Sequence, residues 1–120
     1  MKEGLKATGK ASENIAEAWL KEKGWTLLAR NWRSVKGEVD LIVIKDGLIA
    51  FVEVKTVDAY GLESLEQSIS PIKRRRILET AKLFMLAHRE FNKERIRFDV
   101  AAVRNGCLFQ YFPDAFVEHE

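Results

Sequence analysis

Cysteine is almost absent from this chain of 120 residues: Cys107 stands alone, which excludes an internal disulfide and any cysteine-based zinc site. Proline is nearly as scarce, with only Pro71 and Pro113, and no Pro/Gly/Ser-rich tract marks a linker. A single domain over residues 1–120 is expected. Long apolar runs are missing too. The most apolar stretch is interrupted by Asp40, Lys45, Asp46 and Glu53, and the N-terminus carries Lys2, Glu3, Lys6 and Lys10 without an apolar leader region. The sequence therefore reads as a cytoplasmic protein with no membrane partner. Nor does one charge dominate: a formal net charge of +2 leaves any nucleic-acid binding to local clusters.

What the chain does have is a central block of β-formers. From Gly37 to Thr56, two runs rich in Val and Ile flank Asp46-Gly47, a dipeptide that accepts the positive φ angles of a type I′ turn and closes an antiparallel hairpin. With Asp46 and Gly47 as the loop, Lys45 faces Leu48, Asp40 faces Glu53 and Glu38 faces Lys55. Alternation puts Glu38, Asp40, Ile42, Ile44, Ile49, Phe51, Glu53 and Lys55 on one face, and Val39, Leu41, Val43, Ala50, Val52 and Val54 on the other. Both faces are apolar near the turn, as in central strands covered on two sides. The charges gather at the far end of one face.

Like charges directly opposite one another destabilise a sheet, so Asp40 and Glu53 call for something positive between them. Lys55 supplies one charge, and a hard divalent cation accepting oxygen ligands from both carboxylates would supply more. On charge pattern alone two readings stay open: a metal site, or a Glu38–Lys55 surface pair beside a solvated Asp40.

Around the hairpin, Ala11, Ile15, Ala18 and Trp19 recur at helical spacing and Gly24 stops the pattern, predicting a helix over 8–23 with Glu13 beside its apolar stripe. Trp25 to Trp32 reads as the first strand. The polar segment 58–70 reads as a loop placed to close over a substrate, with Gln67 and Ser68 best able to reach it. Ser70-Pro71 starts a second helix, whose buried stripe is Ile77, Ala81, Phe84, Met85 and His88. His88 reads as a core or boundary residue. Arg95 to Arg104 alternates as a strand, Asn105-Gly106 closes a second hairpin onto Cys107 to Phe112, and Asp99 reads as structural. The order of elements predicts an α/β fold with a mixed β-sheet flanked by helices.

Two basic clusters stand out. Arg30, Arg33 and Lys36 surround Trp32 and suit phosphate contact with base stacking, though an edge strand protected by charge has the same composition. Lys73, Arg74, Arg75 and Arg76 occupy the first turns of the second helix, where the dipole disfavours cations. Either an external phosphate or a solvated basic turn accounts for them.

Several blocks share one resemblance: Gly9, Glu13 and Ala16; Gly24; Arg30-Asn31-Trp32-Arg33; Gly37-Glu38-Val39-Asp40-Leu41-Ile42; Phe51-Val52-Glu53-Val54-Lys55-Thr56; Lys73; Phe98-Asp99-Val100; and Asp114-Ala115-Phe116. Together they resemble the YraN-like family of small bacterial proteins, predicted to be nuclease-like and distantly similar to archaeal Holliday junction resolvases. Asp40, twelve residues and then Glu53-Val54-Lys55 is similar to the PD-(D/E)xK signature of that superfamily, with Val39 where the proline would stand and Val57 where an arginine would follow Lys55-Thr56.

The resemblance implies a restriction-endonuclease-like αβββαβ core and a Mg²⁺- or Mn²⁺-dependent DNA endonuclease acting on branched or structured DNA. A non-cleaving nucleic-acid-binding protein of the same fold is the alternative. By resemblance Asp40 and Glu53 would be metal ligands, Lys55 the catalytic lysine and Glu13 a helix-borne acid near the metal, with Glu38 and Gln67 as accessory candidates. A four-way junction presents two strands to be cut, which suits a two-fold homodimer. Phe109, Tyr111, Phe112 and Phe116 are the expected apolar surface for it.

Overall fold

Helix α1 runs from Lys2 to Glu22, starting before the apolar periodicity does, because Lys, Glu, Leu and Ala sustain a helix on propensity alone. The computed structural model describes residues 2–57 and 69–116, with side chains from residue 9 onward. Gly24 ends α1 as predicted: its φ of +96° is a conformation that glycine adopts without strain, and Trp25 N–H returns to the Leu20 carbonyl. Strands β1 (Thr26–Ser34), β2 (Gly37–Lys45) and β3 (Leu48–Thr56) follow. Helix α2 spans Pro71–Ala87, a short 3₁₀ turn spans Arg89–Phe91, and β4 (Arg95–Arg104) and β5 (Cys107–Phe112) complete the order. Gln67 and most of the predicted closing loop lie outside the described residues.

The five strands stand in sequence order, antiparallel except for β3 and β4, which are parallel because α2 carries the chain back between them. Both predicted hairpin turns form, with positive φ at Asp46 (49°) and Gly47 (77°) and at Asn105 (51°) and Gly106 (75°). The predicted register of β2 and β3 holds from Lys45 opposite Leu48 to Leu41 opposite Val52.

Each face of the sheet is covered by one helix, which explains why both faces of the hairpin are apolar. Ala16 and Leu20 of α1 pack on Leu41, Val43, Ala50, Val52 and Ala101. Ile77, Ala81 and Phe84 of α2 pack on Ile42, Ile49, Phe51, Phe98 and Val100. His88 stacks on Phe84 with ring centroids 4.0 Å apart and its Nδ1 lies 2.9 Å from the Phe84 carbonyl, the boundary role expected of it.

Along β2 the alternation fails at one place. Leu41 belongs to the core under α1, yet Val39, two residues along the same strand, packs in the core under α2. Its neighbour strand changes with it: Arg30, opposite Leu41, reaches α1, whereas Trp32, opposite Val39, packs against Phe84 of α2. Between them lie Asn31, held at a φ of +53°, and Asp40. Regular strands repeat faces every second residue, so this pair of positions is where the sheet is locally rotated.

The aromatic patch predicted on the last strand does not form. Tyr111 stacks on Trp19 of α1 at 4.9 Å, Phe116 is buried against Phe98, and Phe112 packs on the core. Phe109 alone of the four is exposed, under the Arg104 guanidinium. The aromatic argument for a homodimer is thereby removed, because the apolar rings are consumed by the chain's own helix and core. Among the described residues no helix is long and apolar enough to cross a membrane.

Candidate active site

The β2–β3 ladder opens after Leu41 and Val52, and the candidate site fills the fork. Asp40 Oδ2 accepts the Val54 N–H at 2.7 Å, so a side-chain carboxylate takes the place of a strand carbonyl. This corrects the predicted opposition of Glu38 and Lys55. Beyond Asp40, β2 leaves β3 and continues only with β1, where Glu38 faces Arg33 and accepts from its Nε at 3.1 Å. Glu38 is therefore a surface partner of Arg33 and not part of the fork.

Glu53 stays inside the fork, on the face covered by α2. It is 7% exposed, and Lys73 Nζ, reaching down from the first turn of α2, lies 3.0 Å from its Oε1. Helix α2 is set there by its cap: the Ser70 side chain accepts the Lys73 N–H, and Pro71 begins the helix. Lys55 follows on the same face of β3, half-buried and hydrogen-bonded to the Lys73 side chain.

Glu13 enters from the other side of the sheet. Its Oε1 accepts from Arg30 Nε at 3.3 Å and from Asn31 Nδ2 at 3.1 Å, and its charge is felt at Asp40. The left-handed backbone at Asn31 is what aims that amide at α1, a conformation asparagine tolerates better than most residues. On the α1 side, buried Ser12 lies 2.6 Å from the Thr56 hydroxyl, tying the helix to the end of β3 beside Lys55.

The electrostatics of this cluster are unbalanced. Burial, and then the charge of Glu53, raise the Asp40 carboxyl from an ordinary 3.8 to about 7, against the opposing Val54 N–H. Lys55 is pushed down, first by burial and then by its hydrogen bond with Lys73. Burial works against the Lys73 proton as well, but donation of a hydrogen bond to the Lys55 amine and the charge of Glu53 outweigh it and raise Lys73. Of the two amines, Lys73 holds its proton the more strongly.

Two crowded carboxylates suit a hard dication, and Mg²⁺ commonly takes one or two protein carboxylates and completes its shell with water or phosphate oxygens. Among the described residues no group of three or more His, Cys, Asp or Glu side chains is placed to hold a metal. Asp40 and Glu53 would thus act as a two-carboxylate site.

The sequence profile of the Uncharacterised protein family UPF0102 matches residues 12–103. The chain belongs to this family. Relatives called "UPF0102 protein" include those of Treponema pallidum (strain Nichols), 40% identical over 83% of this chain and 79% of theirs; Syntrophus aciditrophicus (strain SB), 40% identical over 91% and 87%; and Anaeromyxobacter dehalogenans (strain 2CP-C), 37% identical over 95% and 87%. This is the YraN-like family expected from the motif blocks. The UPF0102 span begins at Ser12 and takes in every residue of the fork: Glu13, Asn31, Asp40, Glu53, Lys55, Thr56 and Lys73.

In this UPF0102 chain the predicted basic residues divide into two groups. Arg30 leaves the predicted phosphate surface, because its guanidinium is held by Glu13, Asn14, Glu17 and the Lys10 carbonyl. Lys73 leaves it too, drawn onto Glu53 by the buried carboxylate. Arg74 bonds the Ile69 carbonyl through Nε and lies 6.0 Å from the Phe116 ring.

Arg33, Lys36, Arg75 and Arg76 are exposed. Gly37 brings them together: a Cβ there would stand 3.2 Å from the Arg76 Cβ, so the β1–β2 turn rests against α2. The roles of Ser12 and Asn31 were missed from sequence. The signals on offer were a serine next to Glu13 and an asparagine inside a strand.

Proposed function

We propose that this protein is a Mg²⁺- or Mn²⁺-dependent DNA endonuclease, acting on branched or structured DNA in the manner of Holliday junction resolvases. The observation that carries the reading is the fork itself: two carboxylates crowded at a break in the sheet, one raised to about 7, with two lysine amines beside them. Burial and a second carboxylate both work against the Asp40 charge, and perturbed groups gathered in this way are characteristic of catalytic sites. A protein that only bound nucleic acid would be hindered by two carboxylates facing phosphate.

Asp40 and Glu53 would hold the divalent ion. Bound there, the ion supplies Lewis-acid polarisation of the phosphodiester and offsets charge developing on it. Lys55, half-buried beside both carboxylates, would orient the attacking water or offset charge developing on the phosphate. Glu13, braced by Arg30 and Asn31, fixes the α1 side of the fork and adds to the negative field at Asp40. Arg33, Lys36, Arg75 and Arg76 provide the exposed cations that take the flanking phosphates.

The test is cleavage of labelled linear, flap and four-way-junction DNA with Mg²⁺, Mn²⁺ or EDTA, by the native protein and by Asp40→Asn. Cutting with either metal, absent in EDTA and in the variant, is expected. Binding without cutting under every condition would overturn the reading in favour of the non-cleaving alternative.

A further inference from the structure

Lys73 sits where a metal would have to bind. Its ammonium is 3.0 Å from Oε1 of Glu53, whose side chain is only 8% exposed, so there is little room for a second ligand approaching that oxygen. The backbone of Lys73 is fixed by the cap bond to Ser70, whereas its side chain is 41% exposed on a four-carbon stem and is free to swing outward without disturbing α2. A cation at a helix N-terminus is locally unfavourable, which is consistent with its being kept for the carboxylates below. Arg75 and Arg76, exposed in the same turn, mark the side on which phosphate would arrive.

We propose that Lys73 is a placeholder cation: it neutralises Glu53 when no metal is bound, is displaced from Oε1 by the divalent ion, and then donates to a phosphate of the DNA backbone. The inference rests on the reading of Asp40 and Glu53 as metal ligands and assigns to the same site a coupling between its two ligands. An ammonium and a dication brought to one nearly buried carboxylate oxygen repel each other at close range, so each ion opposes the other there. Once released, the three N–H donors of Lys73 are available to a phosphate oxygen as charge-assisted bonds. Metal therefore raises the affinity for DNA, and by linkage DNA raises the affinity for metal to the same extent.

The experiment is calorimetric titration of Mn²⁺ into the native protein, Lys73→Met, Lys73→Arg and Glu53→Gln, without DNA. Lys73→Met is expected to bind Mn²⁺ about tenfold more tightly than the native protein, within the usual range for coupled sites. Lys73→Arg, which keeps the ion pair, should stay within about twofold. Damage to the fold can only weaken metal binding, so a gain identifies competition.

Anisotropy of labelled phosphorothioate DNA, which resists cutting, supplies the second readout. Mn²⁺ should tighten DNA binding by the native protein, and Lys73→Met should lose most of that gain. Equal or weaker Mn²⁺ binding by Lys73→Met, beside native binding that Glu53→Gln abolishes, would overturn the exchange and leave the metal reading standing. Native and Lys73→Met proteins that both bind Mn²⁺ no better than Glu53→Gln would overturn both.

Discussion

Two aspartates of this sheet, both shielded from water, are in opposite conditions. Asp99 on β4 is fully buried and fully partnered: Arg97 donates to both of its oxygens at 2.8 and 2.9 Å, the Tyr111 hydroxyl donates to Oδ2, and the Asp114 N–H donates to Oδ1. Asp40 on β2 receives one backbone N–H and faces a second carboxylate, and its proton is held up to about 7. A charge that is met from every side joins β4, β5 and the segment after them into one structure. A charge that is crowded and incompletely met leaves a site in need of a ligand. The contrast separates a structural acid from a candidate functional one on physical grounds, without reference to relatives.

The contrast can be broken most directly at Asp40. Asp40→Asn should remove metal-dependent cleavage to background while leaving the folded protein intact, since an amide oxygen can still accept the Val54 N–H. Retained cleavage, measured on the most readily cut substrate, would mean that the crowded acid is not the functional one.

Asp99→Ala should do the reverse. Removing the acid leaves Arg97 and the Tyr111 hydroxyl without their partner, at a cost of about 3–5 kcal/mol by urea denaturation. A loss below about 1 kcal/mol would show that the network is not structural.

A sharper form of the comparison uses pH. In EDTA, the folded chain keeps a proton on Asp40 up to about 7 while the unfolded chain releases it near 3.8. Between those values the native state binds more protons, so stability should fall as pH rises from about 4 to about 7 and then level off. Urea midpoints measured across that range should lose this fall in Asp40→Asn. An identical pH profile in the variant would place the titration elsewhere.

Smaller effects belong to the exposed cations. Arg75→Ala should weaken DNA binding uniformly across sequences and reduce the salt slope by about one, while Arg30→Ala should leave the slope alone and destabilise the fold instead. An unchanged slope for Arg75→Ala would return that residue to an ordinary solvated helix turn.

Much of this was readable before folding. Asp46-Gly47 and Asn105-Gly106 allow few other turns, and the double-sided apolar strands required a helix on each face. The convergence of Asp40, Glu53 and Lys55 followed from a register counted from the turn. That counting stopped working at Asp40, and Glu38 went to Arg33, because alternation assumes a regular strand and the left-handed Asn31 and unladdered Asp40 break it. Arg30 and Lys73 were both assigned to phosphate from their local setting, Arg30 in a basic cluster around Trp32 and Lys73 at a helix start where the dipole disfavours cations. Composition does not say which cations meet a carboxylate of their own chain, since those partners lie 13 to 20 residues away.

The sequence by itself thus determined the elements, their order and the two acids with their lysine, since each rests on local propensity, spacing within one hairpin, or a motif block. Only the tertiary structure decided which charges are satisfied. Helix α2 had to cross back over the sheet before Lys73 reached Glu53, and α1 had to dock through Ser12 and Thr56 before Glu13 came near Asp40. Satisfaction of a charge depends on burial and on partners distant in the chain, and these exist only once the layers have packed.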